Sequence, residues 1–180
     1  LLAQQTRANG EPLPAVEIGI GVATGPVIAG AFGGHDRMGY SVYGEAVALA
    51  QRIQALSHQY GPSVIVSGAT AAAADRSFAF LEVDTVAAGK QDPPVTLYAI
   101  IGTPVLKASP KFRALTTFHD HIFQALRKQQ WRQARALIEQ CRNLSGASPK
   151  LYDLHLGRIV YLEQHPPGEN WDGAFRSILK

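Results

Sequence analysis

The sequence predicts an α/β (α+β) chain: a mixed α/β part over residues 1–102, a linker over 103–116 and a small all-α helical tail over 117–180. Three observations carry this. Val16, Ile18, Ile20 and Val22 alternate with Glu17, Gly19 and Gly21, and a period of two marks a strand with one packed face. From about residue 116 the apolar period becomes helical: Phe118, Ile122, Ala125 and Leu126 share one face, and Trp131, Ala134, Leu137, Ile138 and Cys141 share a second. The charge changes sign at nearly the same place. Residues 1–100 carry five Lys/Arg against eight Asp/Glu, net −3, and residues 101–180 carry twelve against six, net +6, which supports a boundary near residue 100.

Each element has its own signal. Leu1 to Ala8 reads as a helix end, stopped by Asn9-Gly10, Pro12 and Pro14. Gly25-Pro26 closes the first strand. Val27-Ile28-Ala29 is a short apolar segment, His35-Asp36-Arg37 a turn tip, and Tyr40 to Tyr43 an extended piece. Gly44 opens a helix from Glu45 to about His58, with Val47, Ala50, Ile53 and Leu56 as its stripe and Glu45 in the first turn, where negative charge suits the helix dipole. Gly61-Pro62 ends it. Ser63 to Val66 is a strand, Ala69 to Ala74 a short helix, and Phe78 to Val83 and Val95 to Ile101 are strands joined by a loop around Gly89 to Pro94. A third tail helix runs from Leu151 to Leu162 until Pro166-Pro167-Gly168, and a short apolar piece with Trp171 and Phe175 follows.

Of the 180 residues 46% are apolar and 17% charged, a globular composition rather than a disordered one. No apolar run reaches the ~18–20 residues of a membrane span, and no secretory leader opens the chain. The single cysteine, Cys141, excludes an intrachain disulfide and suits a reducing compartment. Opening on Leu1 rather than methionine, the chain reads as a piece of a longer parent. Basic and acidic residues interleave in the second half, which favours a solvated helical surface over a nucleic-acid partner.

Some motifs fail on spacing. Gly19-x-Gly21 with Gly25 places the third glycine one position late for a dinucleotide fingerprint, so these glycines mark close backbone packing or turns. No glycine precedes Lys-Ser or Lys-Thr, so there is no P-loop. His119 and His121 point to different helix faces, and surface or capping roles are expected for all six histidines. Cys141, on an apolar face, reads as a buried inert thiol.

The stretch Ile18-Gly19-Ile20-Gly21, then Thr24-Gly25-Pro26-Val27-Ile28-Ala29-Gly30, Phe32-Gly33, and Tyr40-Ser41-Val42-Tyr43-Gly44-Glu45 running on to Ala48 and Arg52 resembles the class III adenylate/guanylate (nucleotidyl) cyclases. Their pattern is Thr-Gly, Gly-x-x-x-Ala-Gly, then Tyr-x-x-x-Gly-Asp leading into a helix with Asn and, four residues on, Arg. Residues 83–101 resemble the family's closing strands, and Pro166-Pro167, Trp171-Asp172-Gly173 and Lys180 resemble the tail of bacterial sensor-linked cyclases. Trp131, Ala134 and Leu137 resemble one tetratricopeptide-like helix pair.

The resemblance implies the C-terminal half of a ferredoxin-like catalytic domain that works as a homodimer and sits downstream of a sensor domain. It implies a nucleoside triphosphate substrate, with Mg²⁺ or Mn²⁺ held by aspartates upstream of Leu1, and cyclisation by attack of the ribose 3′-hydroxyl on the α-phosphorus. Arg52 falls on the transition-state arginine. Ser41 takes the base-contact position, which leans towards ATP over GTP. Gly44 and Glu45 form the turn, with Glu45 replacing Asp; Ala48 replaces the Asn; Ala88 replaces a phosphate-holding Lys, leaving Lys90 nearby. A cytoplasmic location is expected, compatible with a membrane-anchored parent. The competing expectation, motivated by Ala48 and Ala88, is a degenerate cyclase-fold module that dimerises or senses nucleotide without turnover.

Overall fold

The computed structural model describes residues 17–34, 37–87, 93–142 and 148–176. Its elements are β1 (Ile20–Val22), β2 (Ile28–Gly34), β3 (Arg37–Tyr43), α1 (Glu45–Tyr60), β4 (Val64–Ser67), α2 (Gly68–Ala73), β5 (Ala79–Val86), β6 (Val95–Gly102), α3 (Pro104–Ala108), α4 (Pro110–Arg127), α5 (Trp131–Arg142) and α6 (Pro149–Gln164). The mixed α/β architecture is the expected one. A four-stranded sheet has the order β1-β4-β6-β5, and β2 and β3 form a separate antiparallel hairpin. β1 runs parallel to β4, while β4–β6 and β6–β5 are antiparallel.

α1 lies against β1 and β4, and its Ile53, Leu56 and Tyr60 are buried with Ile65, Val83, Leu97 and Ala99 of the sheet. The glycines of β1 make this approach close, as their density suggested. A β-carbon on Gly21 would fall 2.2 Å from the Ala50 carbonyl oxygen, and one on Gly19 would fall 2.0 Å from Ser57 Oγ. The hairpin is less covered: Ile28 and Met38 are 70% exposed and Tyr40 78%.

Two expectations are corrected. Residues 103–116, expected as a linker, are helical: they hold α3 and the first two turns of α4. Pro104 and Pro110 stand in the first turn of these helices, where a missing N–H costs nothing. Ser109 caps α4 by accepting from Phe112 N at 3.2 Å, and Phe112 and Leu115 extend its buried stripe back from Ile122. The second correction concerns the histidines. His58, His121 and His165 are exposed, and His35 lies outside the described residues, but His119 and His155 are buried. Their rings find partners on β5 and α6: His119 Nδ1 donates to the Glu82 carbonyl of β5 and its Nε2 accepts from Tyr152 Oη of α6, at 2.9 and 2.7 Å, and His155 Nε2 donates to the Val83 carbonyl of β5 at 2.9 Å.

The tail helices bury Ile122, Phe123, Leu126, Ala134, Ile138, Cys141, Tyr152 and Ile159 together. Cys141 is fully buried, and burial raises its thiol pKa, as befits an inert thiol. The tail also enters the sheet's core, since Leu151 of α6 packs in the cluster formed by α1 and the strands. Phe175 N donates to Thr85 O at 3.2 Å and pairs beside Val86, so the chain after α6 covers the outer edge of β5. No helix among the described residues is long and apolar enough to cross a membrane.

Candidate functional site

Gly44 starts the site. It precedes α1 with φ 152° and ψ 166°, a region open essentially to glycine. A β-carbon there would also come within 2.8 Å of the Pro26 carbonyl oxygen. The Gly44 carbonyl accepts from Val47 and Ala48 N at 3.1 and 3.2 Å and so begins the helix without a side-chain cap. Glycine therefore sets α1 hard against the Thr24-Gly25-Pro26 turn that follows β1.

From that start, steps of three and four residues carry Glu45, Ala48 and Arg52 along one helix face. All three line one cavity of about 440 Å³. Leu49, Ile53, Leu56, Val86 and Val95 give it apolar walls, and Thr24, Gly25 and Pro26 form one side. Its size suits a small-molecule ligand. Arg52 is exposed to the cavity, and among the described residues no carboxylate pairs with its guanidinium. Glu45 is the lining's one carboxylate, beside the helix N-terminus, where negative charge is favourable. Thr24 Oγ1 lies 2.9 Å from Thr70 Oγ1, which ties the turn to α2.

The sequence-derived site residues divide three ways. Glu45, Ala48 and Arg52 meet at the cavity, and Gly44 shapes its helix without lining it. Ser41 lies on β3, opposite Gly30, and does not line the cavity. Lys90, with Ala88, lies outside the described residues. Sequence reasoning gave no role to Thr24, Val86, Pro93 or Val95, which also line it. Thr24 stood in the Thr-Gly motif; the other three reach the cavity only because β5 and β6 fold back beside α1.

A metal ion finds no fit here. The lining offers one carboxylate, and among the described residues no group of three His, Cys, Asp or Glu side chains could hold a metal.

The family model described as "Adenylate and Guanylate cyclase catalytic domain" matches residues 2–101. Adenylate cyclase 1 of Rhizobium meliloti (strain 1021) is 30% identical over 96 residues, which is 53% of this chain and 14% of that protein. The adenylate cyclase of Anabaena cylindrica is 37% identical over 65 residues, 36% of this chain and 12% of that one. A solved bacterial light-regulated adenylyl cyclase aligns at 24% identity and a TM-score of 0.40, covering 46% of this chain and 23% of its own. The match thus spans about one seventh of the first of these curated relatives and one eighth of the second. The match covers more than half of the chain, including β1, α1 and every described wall of the cavity, and the chain belongs to the adenylate and guanylate cyclase catalytic domain family.

Proposed function

We propose that this chain is part of a class III nucleotidyl cyclase that converts ATP, in preference to GTP, into the 3′,5′-cyclic nucleotide and pyrophosphate for signal transduction. The observation that carries the reading is Arg52: a guanidinium on the cavity wall without an ion-pair partner among the described residues, on the helix face shared with Glu45 and Ala48, within the segment that matches the family. In the reaction the ribose 3′-oxygen bonds to the α-phosphorus, the bond to the pyrophosphate oxygen breaks, and the hydroxyl proton leaves. Charge grows on the phosphate oxygens, and a fixed cation aimed at them lowers the barrier. Arg52 supplies planar, permanently charged donors for that purpose.

The remaining cavity residues shape and orient. Leu49, Ile53 and Leu56 present an apolar wall that limits water. Ala48 offers no donor, so one phosphate contact usual in the resemblance is missing. Divalent ions supply charge neutralisation in such chemistry, and their ligands would have to come from residues other than those described. We place those ligands, with the base-reading lysine, in a longer parent that also carries an upstream sensor. A homodimer would cover the exposed Ile28, Met38 and Tyr40 of the hairpin. Nucleic acid is not a partner in this reading, and the cytoplasm is its location.

Ala48 also favours a second reading, a non-catalytic nucleotide-sensing module. One assay separates the two. The 180-residue chain and a longer protein that includes it are given ATP or GTP with Mg²⁺ or Mn²⁺, and cyclic nucleotide is measured. Formation by the longer protein, with ATP preferred, and none by the 180 residues supports the enzyme; nucleotide binding without turnover in the longer protein supports the module.

A further inference from the structure

We propose that Tyr60 and Asp84 are positioning residues for α1, and that the helical tail holds that position through Arg158. This rests on reading Arg52 as the residue that meets the phosphates. Arg52 is exposed and has no ion pair among the described residues, so its place in the cavity depends on where the body of α1 sits. Gly44 fixes one end of that helix. Tyr60 fixes the other, eight residues beyond Arg52, or about 12 Å along the axis.

Tyr60 is fully buried, and its hydroxyl donates to Asp84 Oδ2 at 2.6 Å. The same oxygen accepts from Arg158 Nη1 of α6 at 2.7 Å, and Asp84 Oδ1 accepts from Thr85 N at 2.8 Å. One carboxylate therefore joins the sheet, α1 and the tail. A β-bulge makes this geometry: Glu82 pairs with Tyr98 and Asp84 with Leu97, so Val83 is extra and Asp84 turns inward with it. Ser148, just ahead of α6, donates to the Tyr60 carbonyl at 2.8 Å and closes the free end of α1.

The arrangement is directional where packing alone would not be. Apolar side chains of similar volume could stabilise this junction equally well, but they would let α1 slide. Three donors on one carboxylate fix both its rotation and its height. Among the described residues Arg158 has no substitute for Asp84 as an acceptor: its Nε and Nη2 find no partner there, and the Phe175 ring lies 4.7 Å over the guanidinium. Displacement of a catalytic group by ~1 Å from a distant change can cost on the order of 10²-fold in rate. The tail thus belongs to the machinery that aims Arg52.

Tyr60→Phe tests this, since it removes one oxygen and keeps the ring. In the 180-residue chain, amide exchange in α1 should accelerate relative to β6, and Arg158→Met should do the same, with Arg158→Lys restoring most of the protection. In the longer protein, Tyr60→Phe and Arg158→Met should lower kcat about tenfold while KM for the nucleotide stays within twofold, and Arg158→Lys should recover kcat. Unchanged exchange in α1 for both variants overturns the inference, as does an unchanged kcat in an active longer protein. A wild-type longer protein without turnover would instead refute the proposed function, and the exchange result would still decide the role of Tyr60 and Asp84.

Discussion

A β-carbon on Gly21 would stand 2.2 Å from the carbonyl oxygen of Ala50, with Gln54 N only 2.5 Å away. Both neighbours are helix backbone and cannot step aside as a side-chain tip would. Gly21→Ala should therefore push α1 off β1 and cost about 2–3 kcal/mol, the upper range for an overpacked site. Gly39, where an added β-carbon meets nothing within 4 Å, is the control: Gly39→Ala should stay within about 0.5 kcal/mol. Urea unfolding of the two variants checks the difference.

The second prediction concerns pH. Burial holds the His155 pKa down at about 4, below its ordinary 6.5. The unfolded chain therefore binds the proton first as pH falls. Stability is fully present above 6.5 and is lost as pH drops through 6.5 towards 4. His119 is shifted the same way, also chiefly by burial, while Glu82, raised mainly by burial, acts in the opposite sense. Between pH 7.5 and 5, His155 alone should remove about 2 kcal/mol. His155→Gln, which has no proton to gain, should flatten that slope; an equal slope in wild type and variant would contradict the assignment.

The tail helices form a packed core of their own. Ile138 is fully buried among α4, α5 and α6, and Ile138→Ala should cost about 2–5 kcal/mol as a cavity opens. Its positive charge is partly spent within the fold: Arg135 meets Glu163 at 2.5 Å, Arg142 meets Asp153 at 2.7 Å, and Arg158 meets Asp84 at 2.7 Å. The chain should accordingly show no salt-sensitive binding to DNA or anionic vesicles at physiological ionic strength, where true phosphate contacts would give a steep salt slope.

What was legible in the sequence followed local spacing. Helical steps are regular, so the spacing of Glu45, Ala48 and Arg52 already places them on one face of α1, while the cavity that this face lines emerges only in the fold. Gly19 and Gly21 announced close packing by their density. The cavity walls from Val86 and Val95 depend on strand pairing across the sheet, which no spacing reveals. His119 and His155 looked like surface residues because their partners, the carbonyls of Glu82 and Val83, lie 37 and 72 residues away. Residues 103–116 read as a linker, yet Pro110 stands in the first turn of α4. Asp84 gave no signal at all: a bulge turns it inward, and its cation arrives from α6.

Ala48 offers a repair experiment. It lies exposed on the cavity wall between Glu45 and Arg52, so Ala48→Asn adds an amide donor there without disturbing the core. In the longer protein the rate should rise, up to the order of 10²–10³ that one such donor supplies. An unchanged rate in an active longer protein would mean that this face of α1 does not meet the reacting phosphate.

The most direct measurement is the turnover of the longer protein with Arg52→Ala. The side chain is exposed and has no ion pair among the described residues, so its removal should leave the fold and thermal unfolding unchanged within about 0.5 kcal/mol. Cyclic nucleotide formation should fall by about 10²–10³-fold in kcat, as for loss of one preorganised transition-state donor, with little change in KM. A folded Arg52→Ala protein that cyclises nucleotide at the wild-type rate would contradict the account.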